Sequence, residues 1–540
     1  MVNRIKKYMV LISVVTIIGM LLSACSEDKA DKKDSSTGSG AAMEDYKVGD
    51  TFKAKEALTL SILYSDQPSY PLKEDWLLFE EIKKRTNIEL DLTVVPMSDY
   101  GEKRSLLISA GDAPLIIPKT YPGEEAPFVA SGVVLPISDY VDQMPHFKDK
   151  VEKWELDYYI DGLRHDDGKY YVLPGLHEEV WPDYTLAIRT DILEELKLET
   201  PTTWKELEVV LAKMKEAYPE VTPFSDRFTM DSTLNIAATG FDTVAGWGLG
   251  SALKLDADKD EFFFAPVTDE YKDLVSYFHG LIDKGLLDKE SVTQDDEQAV
   301  QKFINGESFV INTNSQTIVD YRTDMDETLG EGNYSVEKII VPGGPAGELM
   351  GGSKLENGVM ILAAAEDDPE FDAIIQFVDW LYYSDEGQEF TKWGVEDVTY
   401  TKDGDGKRVL TDDVDYNGLN PSGTKNLRID YGFSGGVFAY GGTTDLLHSM
   451  MLEEEVAFQE AMHKTKTTVL PDPAIKYSEL DLERANLLST PLKDSVSQNT
   501  LKFILGTRDL SEWNDYVKEM ENQRMQDYVD LANETYEASK

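Results

Sequence analysis

The chain has 540 residues, too many for one small core and enough for two to four domain-sized units. Its 52 basic and 101 acidic residues leave a formal charge of −49, a surface that repels phosphate backbones and argues against a nucleic-acid partner. The 41% hydrophobic content is that of a globular chain, and one cysteine with six scattered histidines excludes an internal disulfide and thiolate or HExxH metal sites. The charge does not exclude an anionic ligand, because fields beyond about 10 Å are largely screened at 0.1 M salt.

Arg4, Lys6 and Lys7 open the chain, and an apolar run from Met9 to Leu22 follows. A bilayer span needs roughly 20 apolar residues, so the run has the length of a secretory signal core. Leu22-Ser23-Ala24-Cys25 comes next and resembles the lipobox of bacterial lipoproteins. That resemblance implies a cleaved signal peptide over 1–24, a lipidated Cys25 and a place on the outer face of the cell membrane. The alternative is a short membrane anchor with an incidental cysteine. Residues 25–45 are then the lipidated end and a flexible tether, being small, polar and without periodicity.

From Leu58 the pattern alternates between strand and helix. LTLSILY (58–64) reads as a strand, Trp76, Leu77, Phe79, Ile82 and Lys83 as a helical stripe, and IELDLTVV (88–95) as a strand. A helix over 98–111 closes at Gly111, and PLIIP (114–118) is a short buried strand. This order predicts an α/β lobe with a largely parallel sheet. A second unit starts near Leu186, with Asp191 capping a helix over 192–198 and Thr203-Trp204-Lys205-Glu206 forming a capping box. Helices over 271–285 and 295–304, a strand over 308–312, a buried strand over 359–365 and a helix over 369–384 follow. Trp513, Tyr516, Val517, Met520, Tyr528, Leu531 and Ala532 place helix at the end.

Six segments, in order, carry a resemblance to a family: FEEIKKRTNIELDLTVV (79–95), LISAGDAPLII (107–117), GKYYVLP (168–174), LAIRTDILEELKLETPTTWKEL (186–207), FINGESFVIN (303–312) and the stretch 359–400. Together they resemble the extracellular solute-binding proteins of family 1, the sugar-binding receptors of ABC importers, and above all their larger lipoprotein subgroup. Asn87 and Leu115 stand where the family pattern has Gly and Asp. The resemblance implies a two-lobed, type II periplasmic-binding-protein-like α/β fold with crossing strands at a hinge and the ligand in the cleft between the lobes. The expected first lobe is 46–184 with 354–395 returning to it. The expected second lobe is 185–353 with a helical 430–540, and 396–429 is a hairpin or loop insertion. The implied partners are an oligosaccharide, ABC permease subunits and the membrane through the lipid; the chain is expected to be a monomer that needs no cofactor.

Sugars are held by aromatic faces and by polar side chains on loops at strand ends. The loop after the first strand offers Tyr64 and Asp66, and the one after 114–118 offers Lys119 and Tyr121. Before the crossing strand lie Trp181, Asp183 and Tyr184. After 308–312, where the resemblance implies a stacking aromatic, this chain has Asn314 and Gln316, so the platform passes to Trp247, with Trp393 and Tyr431 as further candidates. Trp76, Trp204, Trp380 and Trp513 lie on helical stripes and are expected in the core. TKDGDGKRVLTD (401–412) has partial calcium-loop spacing, but Thr401 and Asp412 fill its end positions, and a hairpin built on Asp-Gly fits as well. No metal ligand is assigned. The chain is read as a receptor and not an enzyme; a secreted glycoside hydrolase, which needs two carboxylates roughly 5 to 9 Å apart, and a surface sensor on the same fold are the alternatives.

Overall fold

The computed structural model describes residues 40–540; the signal segment, Cys25 and most of the tether lie outside the described residues. Two sheets organise the chain. The first is built from β1 (Leu58–Asp66), β2 (Ile88–Pro96), β3 (Ile116–Thr120), β4 (Leu173–Leu176) and, returning late, β9 (Leu355–Ile361). Its order is β2-β1-β3-β9-β4. β1 runs parallel to β2 and β3, and β9 is antiparallel to both its neighbours. The second sheet holds β5 (Thr185–Arg189), β6 (Phe224–Ser225), β7 (Val310–Thr313) and β8 (Val336–Lys338) in the order β8-β5-β7-β6. Each sheet has its own large apolar core, which makes two lobes.

Local sequence explains the element ends. The helix Leu77–Thr86 stops at Asn87, which takes the left-handed conformation at φ 60 and donates its N–H to the Lys83 carbonyl. Asn tolerates this region better than other non-glycine residues, so it can stand where the family pattern has Gly. Its Nδ2 also donates to the Ala54 carbonyl at 2.7 Å. Thr203 accepts the Glu206 N–H at 3.1 Å, as a capping box requires. The Glu206 carboxylate, however, turns to the N–H and hydroxyl of Thr202. Asp191 does not cap its helix. Its two oxygens accept Arg189 Nε and Nη2 at 2.7 and 2.6 Å, an ion pair beside β5. Trp76, Trp204, Trp380 and Trp513 are all buried.

Two segments differ from the sequence reading. Residues 427–450 pack with the first sheet and not the second: Leu427, Phe433, Val437, Phe438, Tyr440 and Leu446 fill its core. This stretch has almost no helical or alternating period, so its address was not readable locally. The helices Glu479–Ile504, Trp513–Asn522 and Met525–Ala538 do pack on the second core. The last residues of the expected tether are also docked. Ala41 and Ala42 are buried, the Ala41 N–H donates to Glu370, and Met43 exchanges hydrogen bonds with the Gln376 amide through both its N–H and its carbonyl. The stretch 401–412 forms an antiparallel hairpin, Tyr400–Lys402 against Arg408–Leu410. There Asp403 is occupied in the turn, accepting the N–H groups of Asp405 and Lys407.

The lobes are joined by the segments 177–184, 339–354 and 466–478; within the latter two, Leu349–Gly351 pairs with Thr467–Val469. The helix Glu453–Thr465 stands beside these crossings, its Phe458 and Met462 packed on Val180 and Met350. A chain beginning at Tyr46 is expected to be about 1–3 kcal/mol less stable than one beginning at Ser39, because the docked hydrogen bonds and buried alanines are lost. A lower urea midpoint at nearly unchanged slope is the measurement that checks it.

Candidate functional site

A cavity of about 650 Å³ lies between the lobes at the crossings. Its first-lobe wall carries His177, Glu356, Lys392 and Arg428; Tyr184, Asn235 and Thr239 come from the other side; Trp181, Met350 and Met450 close the hinge end. The polar groups of the first-lobe wall are brought together from β4, β9, the helix Asp385–Trp393 and the short helix Leu427–Tyr431.

Glu356 is the centre of that wall. Its Oε1 accepts the Gly441 N–H and lies 3.6 Å from His177 Nε2. Gly441 has φ +48, and a Cβ there would sit 2.1 Å from the Leu176 carbonyl oxygen, so the close approach needs glycine. Burial alone would push the Glu356 carboxyl up; His177, the Gly441 N–H and Lys392 outweigh it and hold the group below the usual carboxylate value. Burial pushes the Lys392 ammonium down to about 8, with Glu356 pulling the other way. Lys392 Nζ donates to the Tyr440 carbonyl at 2.9 Å.

Aromatic rings stand opposite and behind. Trp181 meets His177 edge-on, 5.4 Å between centroids, and its buried Nε1 has no partner. Tyr184 is 40% exposed and packs edge-on against Trp247 at 5.4 Å; Trp247 is 47% exposed and also leans on Phe228 at 4.9 Å. Trp247 rides on a short turn, Gly246–Leu249, pressed so close to Asn235 that a Cβ at Gly248 would lie 2.3 Å from the amide oxygen.

The other sequence candidates divide. Asp183 lines the cavity, its Oδ1 accepting the Ser315 N–H at 3.1 Å. Gln316 accepts from Arg428 Nη1 at 3.4 Å, a contact between lobes. Asn314 is used locally, accepting the N–H groups of Gln316 and Thr317. Lys119 has φ 53, donates its N–H to the Tyr440 hydroxyl and holds Nζ 5.7 Å from the Tyr121 ring. Tyr121 is exposed and lines a second groove of about 490 Å³ with Tyr158 and Tyr159. Asp66 accepts the Leu72 N–H and shapes the loop after β1.

Two candidates are corrected. Tyr64 is buried in the first core beside Phe438, because its place in the pleat of β1 points it inward. Trp393 is also core: it is 1% exposed and its Nε1 donates to Ser449 Oγ at 3.1 Å. Tyr431 packs half-buried against the same core, with Lys425 Nζ 5.6 Å from its ring, and is not among the residues lining the cavity. Sequence reasoning missed His177, Glu356, Lys392 and Arg428. The readable signal was Glu356, a carboxylate inside the otherwise buried strand LENGVMI. Among the described residues, no group of three His, Cys, Asp or Glu is placed to hold a metal ion.

The profile of the bacterial extracellular solute-binding proteins matches residues 70–389. The chain belongs to that family. This solute-binding protein is 24% identical over 528 residues to the fructooligosaccharide ABC transporter substrate-binding protein FusA of Streptococcus pneumoniae, covering 92% of this chain and 94% of that one. It is 24% identical over 544 residues to the polygalacturonan/rhamnogalacturonan-binding protein YtcQ of Bacillus subtilis, covering 98% of both. Among solved structures it is similar to the alginate-binding protein AlgQ2 without calcium ion, with a TM-score of 0.70 at 18% identity over 91% of this chain and 100% of the other, which shows the shared two-lobed fold. Trp393→Ala in this solute-binding protein is expected to cost about 3–5 kcal/mol of folding stability. Trp247→Ala should cost only about 1 kcal/mol, the worth of its ring contacts. Urea titration of the two variants checks the contrast.

Proposed function

We propose that this protein is the receptor of an ABC importer, that it binds an oligosaccharide in the interlobe cavity without altering it, and that Cys25 carries the lipid holding it to the outer face of the membrane. The observation that carries the reading is one cavity in which the exposed Tyr184 ring meets buried, partly unsatisfied polar groups. Tyr184 offers a face to the apolar C–H side of a sugar ring, with Trp247 packed edge-on beside it and not itself among the lining residues, while Trp181 Nε1, His177, Lys392 and Glu356 offer donors and an acceptor to hydroxyls. Both relatives named above are oligosaccharide- or polysaccharide-binding proteins, which supports the ligand class. The rival reading, a glycoside hydrolase, needs a carboxyl held protonated as general acid. Glu356, held below the usual carboxylate value, does not supply that acid. The lipid rests on the Leu22-Ser23-Ala24-Cys25 sequence.

A ligand present at 100 times its Kd adds about 2.7 kcal/mol of stability, so a thermal-shift screen of the chain against oligosaccharides should single out its ligand. Chromatography should then recover that ligand intact; cleavage in proportion to protein concentration would count against a receptor. Trp247→Ala should weaken binding roughly five- to 150-fold, on a stacking contribution of about 1–3 kcal/mol per ring. Cys25→Ser should move the protein from the membrane fraction to the medium. Recovery with membranes at the wild-type level, resistant to salt, would overturn the lipid assignment.

A further inference from the structure

The cations of this chain are outnumbered by about two acids to one, and the buried ones show it. Arg104, Lys150, Arg189, Arg227 and Lys466 each hold a carboxylate: Glu124, Asp385, Asp191, Asp296 and Glu348. Lys392, equally buried, does not. Its one hydrogen bond goes to the Tyr440 carbonyl, and an ammonium has three donors. Two half-buried neighbours share the feature. Arg428 donates to the Ser434 carbonyl, the Gln316 amide and the Tyr416 hydroxyl, which leaves two of its five N–H groups, and no carboxylate lies within ion-pair distance. Lys119 Nζ stands beside Gly436, and among the described residues neither it nor Lys392 has a carboxylate within ion-pair distance. Lys392 and Arg428 line the cavity. The carboxylate on their wall, Glu356, is taken by Gly441 and His177, and that of Asp183, beside the second sheet, accepts the Ser315 N–H.

We infer that the ligand is acidic: an oligosaccharide whose uronate carboxylates are taken by Lys392 and Arg428, with Lys119 beside them. This rests on the oligosaccharide reading above and narrows it. Lys392, Lys119 and His177 thus share the one carboxylate of Glu356, which is in direct contact with neither lysine, and a bound carboxylate supplies the charge that this wall lacks. A neutral sugar would leave both cations as they are. The bland alternative is that Lys392 merely fixes the Tyr440 carbonyl and that Arg428, lying over the Tyr70 and Tyr416 rings, merely links the lobes to Gln316; neither role needs an excess of cations on the wall.

Isothermal titration of the full chain with tetragalacturonate, its fully methyl-esterified form and neutral tetrasaccharides tests this. The acid should bind, the ester roughly thirtyfold or more weakly, as for loss of one partner of a buried charge pair. Lys392→Gln and Arg428→Gln should each cost the acid a similar factor and the ester little. Added salt should weaken only the acid. Because the Lys392 ammonium titrates at about 8 and an adjacent anion raises it, binding at pH 8 should take up protons, read as a dependence of the heat on the buffer. If Lys392→Gln does not fold, Arg428→Gln and the proton uptake of the wild type decide. Equal affinity for acid and ester, or binding of a neutral sugar but not the acid, overturns the acidic ligand and leaves the oligosaccharide reading standing. Failure of every sugar to bind overturns that reading and this inference with it.

Discussion

Lys338 and Glu455 form an ion pair with both side chains almost wholly out of solvent, at 2.8 and 2.9 Å to the two carboxylate oxygens. Burial pushes the Glu455 carboxyl up, and Lys338 offsets only part of that push. The pair ties three separate stretches together. Lys338 ends β8 and also donates to the Asp183 carbonyl, and Glu455 lies on the helix Glu453–Thr465. Gln459, one turn on, bonds both Glu455 and the Pro182 carbonyl. Removing one partner of such a pair typically costs about 3–5 kcal/mol, because the other is left charged and dry. Trp181, Asp183 and Tyr184 all sit on the backbone that this knot holds, so the hinge end of the cavity takes its shape from it.

The walls divide the work. On the first-lobe side the polar groups are set by backbone: Gly441 at Glu356 and the Tyr440 carbonyl at Lys392. Groups fixed this way lose little freedom when a ligand arrives, which is the advantage of a preorganised site. On the other side Tyr184, Trp247 and Phe228 hold one another by ring contacts and leave two faces partly open. Directional chemistry is thus on the rigid wall and adaptable area on the aromatic one.

Much of the frame was legible because apolar period reports it directly. The strands at 58–64 and 88–95, the helix beginning near Leu77 and four core tryptophans follow from spacing alone. The aromatics of 181–184, which sit among Pro and Asp with no stripe to belong to, line the cavity. What failed has a physical reason in each case. Tyr64 ends an alternating strand, and which face such a residue takes depends on the sheet it joins. Trp393 closes the amphipathic helix Asp385–Trp393, a stretch to which the sequence reading assigned no element. Residues 427–450 carry core side chains on irregular backbone, so no local period names their lobe. His177, Glu356, Lys392 and Arg428 lie far apart in sequence and acquire meaning only when β4, β9 and the 427–450 segment converge.

The same division of rings leaves an optical consequence. The chain has eight tryptophans, and Trp247 alone is more than a third exposed; Trp181 is half-buried and the other six are buried. A dissolved collisional quencher such as acrylamide therefore reaches essentially one indole, and that indole packs against Tyr184, which lines the cavity. The protein carries its own fluorescent reporter of the Tyr184 side of the cavity: whatever covers that pair of rings shields Trp247 and leaves the emission of the buried rings unchanged.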